Sequence, residues 1–114
     1  MNRGEVWQMT LDATAADAST ETASRLVVIL SSDALAILPL RIIVPLTAWK
    51  DEFSAAPWIV RVPPVLNSGL EQVMAADALQ VRSVSTARLR QKLGDLPGKL
   101  VAEIAAAVSG IIQH

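Results

Sequence analysis

Arginines and hydroxyls, not histidine or cysteine, set the chemistry open to this sequence of 114 residues. Its one histidine is His114, the last residue, where chain ends are expected to fray. That removes a Ser–His or Cys–His nucleophile pair on a rigid scaffold and a histidine-based zinc site. Without cysteine there are no disulfides and no thiolate metal ligands. The glycines are scattered and form neither a Walker loop nor a Gly-x-Gly-x-x-Gly turn. Asp51 and Glu52 are adjacent carboxylates, but neighbours on a strand or loop diverge, so a solvated surface pair is expected there. What remains suits phosphoryl chemistry in which the substrate brings its own nucleophile. RNA does so through its 2′-hydroxyl. A protein then needs only to hold the phosphate, stabilise the charge that develops and manage two protons. A metal-free ribonuclease is open to this residue set, and composition alone does not select it.

The elements that must position such groups are legible from hydropathy. A chain of 114 residues is expected to form one domain, 1–114. An apolar fraction of 52 % argues against disorder. The mean hydropathy of +0.40 is high for a small domain and favours a homo-oligomer. Residues 5–11 alternate, with Trp7, Met9 and Leu11 on one face and Gln8 and Thr10 on the other, which is the period of a half-buried strand. The run Leu26-Val27-Val28-Ile29-Leu30 within 25–32 reads as a strand covered on both faces. Residues 40–47 form a third strand, in which Pro45 requires an edge or a bulge. Residues 58–62 form a fourth, with Trp58, Val60 and Val62 opposite Ile59 and Arg61. Asn67-Ser68-Gly69 is a turn. Residues 78–83 form a fifth strand, with Leu79 and Val81 opposite Gln80 and Arg82.

Two helices follow. Residues 86–93 are expected to be a short one, stopped by Gly94. The last begins with Asp95 as N-cap and Pro97 in its first turn. Leu100, Val101, Ile104, Val108, Ile111 and Ile112 make its apolar stripe. Short strands with tight turns before a terminal helix suit a small bent barrel of the α+β class, mainly β. The segment 12–24, rich in Ala, Thr, Ser and Asp, reads as a flexible loop.

Net charge is −1 and the pI about 5.7, so this is no basic nucleic-acid domain by composition. The charge is uneven. Residues 82–99 carry Arg82, Arg88, Arg90, Lys92 and Lys99 against Asp95 alone, a face that can attract phosphate or simply meet solvent. No apolar run is long enough to span a bilayer and no signal-peptide core opens the chain, so a cytoplasmic location is expected.

Four segments, in order, resemble the MazF/PemK (Kid) family of toxins of type II toxin–antitoxin systems. Arg3-Gly4-Glu5-Val6-Trp7, followed by Leu11-Asp12, is similar to the family's opening strand. Arg25-Leu26-Val27-Val28-Ile29-Leu30-Ser31 is similar to its second, and Ile43-Val44-Pro45-Leu46-Thr47 to its third. Gln80-Val81-Arg82-Ser83-Val84 resembles its late Gln-x-Arg-Ser/Thr strand. The resemblance implies an SH3-like, CcdB/Kid-type barrel of about five to seven strands with a C-terminal helix, acting as a homodimer. It implies cleavage of single-stranded RNA without metal or other cofactor, leaving a 2′,3′-cyclic phosphate and a 5′-hydroxyl. It also implies an antitoxin whose disordered acidic tail occupies the RNA groove.

By that resemblance Arg25 matches the family's catalytic arginine and Thr47 its catalytic threonine. A guanidinium offers a planar fork of fixed positive charge to two phosphate oxygens, and a hydroxyl can donate to a third. An arginine is a poor general base, so the proton-transfer roles stay open. Without the resemblance, the two read as an exposed strand-end arginine and an ordinary strand threonine. Gln80, Arg82 and Ser83 match the late motif and either meet RNA, support the dimer or face solvent. Glu21 is a further candidate for RNA binding, although many members place their glutamate five positions before the arginine and Glu21 is four before. Leu26 stands where the family usually has proline. Leu79 stands where one branch has aspartate, and the 13–24 loop lacks the usual glycines and basic residues. Two other functions share this scaffold: a CcdB-like binder of DNA gyrase, and a non-catalytic member that keeps only antitoxin binding.

Overall fold

Alternation builds the first strand of the computed structural model, which describes residues 1–10 and 24–113. The strand β1 (Glu5–Thr10) pairs antiparallel with β2 (Ser24–Ile29), and β2 pairs antiparallel with β3 (Leu40–Ala48). Further along lie β4 (Ile59–Val62), β5 (Met74–Asp77), β6 (Arg82–Ser85), β7 (Leu89–Asp95) and the helix α1 (Gly98–Ile112). All seven strands join one antiparallel sheet in the order β4-β5-β3-β2-β1-β7, with β6 also on β3. The expected architecture, mainly β with a C-terminal helix, is the one observed.

The sheet is not closed: β4 and β7 do not pair. A turn bridges the gap instead. The Asp95 N–H donates to Asn67 O at 2.8 Å, which brings the 67–69 turn against the end of β7. Asn67 (φ 69°) and Gly69 (φ 75°) both take the left-handed backbone that this turn requires. The approach is backbone to backbone. A Cβ on Gly69 would stand 2.2 Å from Leu93 O, and one on Gly94 would stand 2.3 Å from Asn67 O.

Period two sorts the strands onto two faces. Val6, Val28, Val44, Leu46, Val62 and Ala76 point to one side and pack with Val101 and Ile104 of α1 in the main core. Met9, Val27, Ile29, Ile43, Val84 and Leu89 form a second cluster on the other side, with Trp7 against it. The expectation that 26–30 is covered on both faces therefore holds. Each such fully buried aliphatic contributes roughly 1.5–3 kcal/mol relative to exposure.

Several sequence expectations are corrected. Residues 78–80 form a 3-10 turn rather than a strand, because the Asp77 carboxylate accepts the Leu79 N–H at 3.1 Å and bends the chain. The strand before it, β5, carries no strand signal in the sequence, because its Met-Ala-Ala-Asp run has no β-branched residue. Residues 86–93 are not a helix: a 3-10 turn at 86–88 leads into β7, which pairs with β1. That pairing overrides the helical propensity of Leu-Arg-Gln-Lys-Leu. Asp95 ends β7 instead of capping α1, whose N-cap is Pro97. On α1, Val101 and Ile104 are buried, whereas Ile111 and Ile112 are exposed. Trp58 precedes β4 and is exposed.

Pro45 obeys its constraint in an unforeseen way. It lies in a central strand, but β5 pairs with β3 only at Leu46–Ala48 and β6 only at Leu40–Ile43. The strand beside Pro45 is interrupted there by the 78–80 turn, so no ladder bond is lost on that side.

Two buried charges fasten the periphery. Arg41 donates to the carbonyls of Met1, Leu38, Leu40 and Ala36, which fixes the connection before β3. Glu5 accepts the Trp7 indole N–H at 2.8 Å and lies 3.4 Å from both the Met1 amine and Lys92 Nζ. Burial pushes its carboxyl pKa up. The Trp7 and Asn2 hydrogen bonds and the two positive charges outweigh that and hold it below the ordinary value.

Candidate functional site

Arg25 is the second residue of β2, exposed, and opposite Met9 of β1. On its other side the β2–β3 ladder runs Ile29–Ile43, Val28–Val44, Val27–Pro45, Leu26–Leu46. One further step of that register sets Arg25 across from Thr47, which is also exposed. The Leu30 N–H donates to Ile42 O at 2.9 Å. The pairing itself ends at Leu26–Leu46; continued one step, its alternation makes Arg25 and Thr47 facing neighbours of the non-hydrogen-bonded kind, the kind in which side chains come nearest. The two residues thus point to the same face, that of the second cluster. No acidic side chain forms an ion pair with Arg25 among the described residues.

The row continues. Thr47 pairs with Ala75 of β5, and Ala75 with Arg61 of β4. Arg61 is exposed, and in the sequence only its alternation with Val60 and Val62 marks it. Two residues beyond Thr47, Trp49 meets Phe53 edge to face with ring centroids 5.8 Å apart. The whole arrangement offers positive charge and a hydroxyl to an anionic chain, with an aromatic pair at its border.

The late motif divides. Arg82 pairs with Ile43, which puts it on the same face as Arg25 and Thr47 but four residues from Thr47 along β3, about 13 Å. Ser83 pairs with Ile42 and lies on the opposite face, where it lines a cleft of about 130 Å³ with Leu35, Leu38, Leu40 and Ile42. Gln80 sits in the turn between β5 and β6 and is exposed. The expected common strand face for Gln80 and Arg82 is therefore absent, because the turn breaks the alternation. Glu21 and the rest of the 13–23 segment lie outside the described residues. Asp51 and Glu52 are exposed in a 3-10 turn after β3. Among the described residues no three acids or histidines gather as a metal-ligand set. No helix there is long and apolar enough to cross a membrane.

The fold is an antiparallel sheet with one terminal helix, with an arginine and a threonine on facing positions of neighbouring strands. The family model described as PemK-like, MazF-like toxin of type II toxin-antitoxin system matches residues 2–112. The chain belongs to that family. Its structure is similar to MazF in a MazE–MazF complex from Deinococcus radiodurans, with a TM-score of 0.75, 20% identity and coverage of 99% of this chain and 96% of that one. It is similar to a mycobacterial endoribonuclease in complex with its cognate antitoxin, with a TM-score of 0.73, 18% identity and coverage of 99% and 95%. For the Mycobacterium tuberculosis toxin MazF-mt6 the TM-score is 0.73 and the identity 18%, with coverage of 96% of each chain. No curated protein sequence matches at a significant level.

Proposed function

We propose that this chain is a metal-independent endoribonuclease that cleaves single-stranded mRNA at selected sequences in the cytoplasm. The observation that carries the reading is the shared position of Arg25 and Thr47 on one face of adjacent strands. The ribose 2′-oxygen attacks the adjacent phosphorus and the P–O5′ bond breaks. The products are a 2′,3′-cyclic phosphate and a 5′-hydroxyl, the proton moving overall from the 2′-oxygen to the leaving oxygen. Arg25 holds two phosphate oxygens and offsets the charge that grows on them. Thr47 donates its hydroxyl to a phosphate oxygen and fixes its orientation. Gln80 and Arg82 touch RNA beyond the scissile phosphate, as does Glu21.

Its cognate antitoxin, by analogy with the complexes of its structural neighbours, lays an acidic segment over the same cationic surface and blocks it. The enzyme works as a homodimer. In support, Leu35, Ile37, Leu38, Leu40 and Ile42 form an exposed aliphatic patch, with Ile37 at 91 % exposure beside the 130 Å³ cleft. A protruding side chain next to an apolar hollow is what a twofold interface needs, each copy filling the other. Such a patch, on the order of 500 Å² per copy, approaches what a specific interface buries.

The test is an RNA digest in EDTA with both product ends mapped. Cleavage should persist in chelator and stop when the nucleotide at the cut is 2′-deoxy, because its nucleophile is then missing. Activity that needs a divalent cation, or that survives the 2′-deoxy substitution, overturns the reading.

A further inference from the structure

We propose that Arg61 is a second phosphate contact, which binds the RNA strand away from the bond being cut. The inference rests on the nuclease reading and extends its site across two more strands. Arg25, Thr47, Ala75 and Arg61 form one cross-strand row: Thr47 pairs with Ala75 and Ala75 with Arg61, and the β2–β3 register leads from Thr47 to Arg25. Residues directly opposite one another in a sheet share a face, so both arginines point the same way. Three strand spacings separate them, about 14 Å. Two flexible guanidinium arms over that span suit phosphates separated by roughly two nucleotides of an extended single strand.

The chemistry of the row selects the ligand. Arg61 is the only charged residue of β4, whose other members are Ile59, Val60 and Val62. It is exposed, and no ion pair holds it among the described residues. The nearest acid in register on that face is Asp77, opposite Ile59, and its carboxylate is engaged with the Leu79 N–H. Between the arginines, Ala75 adds only a methyl group to the row. The guanidinium is therefore free to take an outside anion, in line with the position proposed for the scissile phosphate.

The test measures binding, so it does not depend on the rate of cleavage. The probe is an RNA oligonucleotide carrying the mapped cut site with 2′-deoxyribose at the cut. Arg61→Ala should weaken binding about fivefold to tenfold and lower the slope of log affinity against log salt by about 0.7, the loss of one contact. Arg61→Lys should restore most of both, and Arg61→Gln should behave as the alanine variant. Neutral methylphosphonates placed one at a time should reveal one position that weakens the wild type and leaves Arg61→Ala unaffected. Unchanged affinity and slope in Arg61→Ala overturn the proposal and leave the antitoxin's acidic segment as this arginine's partner. A weakening that no single methylphosphonate reproduces also overturns it. A wild type that cuts no RNA defeats the nuclease reading itself, whereas a wild type that cuts but binds the probe no tighter than Arg61→Ala does defeats only the Arg61 contact.

Discussion

Arg25 and Thr47 stand one step past Leu26 and Leu46, the pair at which the β2–β3 ladder ends, and alternation turns both toward the same face. The ladder that ends just before them, more than loop packing, brings guanidinium and hydroxyl to one edge of the two strands. Arg25→Ala is expected to lower the cleavage rate by roughly 10²–10³, and Thr47→Val by roughly 10². Arg25→Lys should recover little, because a point charge replaces a planar fork. The double variant should fall well short of the product of the two losses if both groups serve one phosphate. Single-turnover cleavage of a labelled RNA measures all four. A Thr47→Val enzyme at full rate would remove the hydroxyl from the mechanism.

Glu5 predicts a stability change in acid. Its pKa in the folded state lies below the ordinary value of 4.5. The ionised form therefore stabilises the fold above about that pH, and the contribution is lost as pH falls through the depressed value. Urea titrations between about pH 6 and pH 3 should show this acid limb flattened in Glu5→Gln. Lys92, raised chiefly by its hydrogen bond to Asp95, has the opposite sign: what it adds is present at neutral pH and lost on the alkaline side. An acid limb of equal depth in both proteins would refute the role given to Glu5.

The seam between the 67–69 turn and β7 leaves no room for a methyl group. Gly94→Ala is expected to destabilise the protein by roughly 1–3 kcal/mol, because a Cβ would press on the Asn67 and Ser68 backbone. Gly98→Ala is a fitting control, since nothing lies near its added carbon. Chemical denaturation of both variants reads the contrast.

The aliphatic patch before and within β3 should govern assembly without governing the fold. Ile37→Lys places a charge where 91 % of the side chain is exposed, so the monomer should keep its stability. Its sedimentation coefficient should drop to that of a single copy at concentrations where the wild type is paired. If both proteins sediment alike, this patch does not hold two copies together.

How much of this was legible in the sequence follows from where each cause resides. β1, β2 and β3 were readable because their apolar periods are local and their faces are buried by their own neighbours. β7 was not, since Leu89-Arg90-Gln91-Lys92-Leu93 favours a helix locally and becomes a strand only through β1. The turn at 78–80 is held by local hydrogen bonds, from the Leu79 N–H to Asp77 and from the Val81 N–H to Ala78 O, below the reach of hydropathy. Arg25 and Thr47 were found through resemblance, and their adjacency could not be read, because strand register is a property of pairing. Arg61 showed the right alternation but lacked the context of a row.

The tandem placement of β5 and β6 along one flank of β3 has an evolutionary consequence. Each short strand is keyed independently to its own stretch, Leu46–Ala48 for the one and Leu40–Ile43 for the other. A residue gained or lost in the bend that carries Gln80 should therefore be absorbed there without sliding either half. Descendants of this chain can remodel that bend, and with it whatever ligand it touches, while Arg25 on β2 and Thr47 on β3 stay in place.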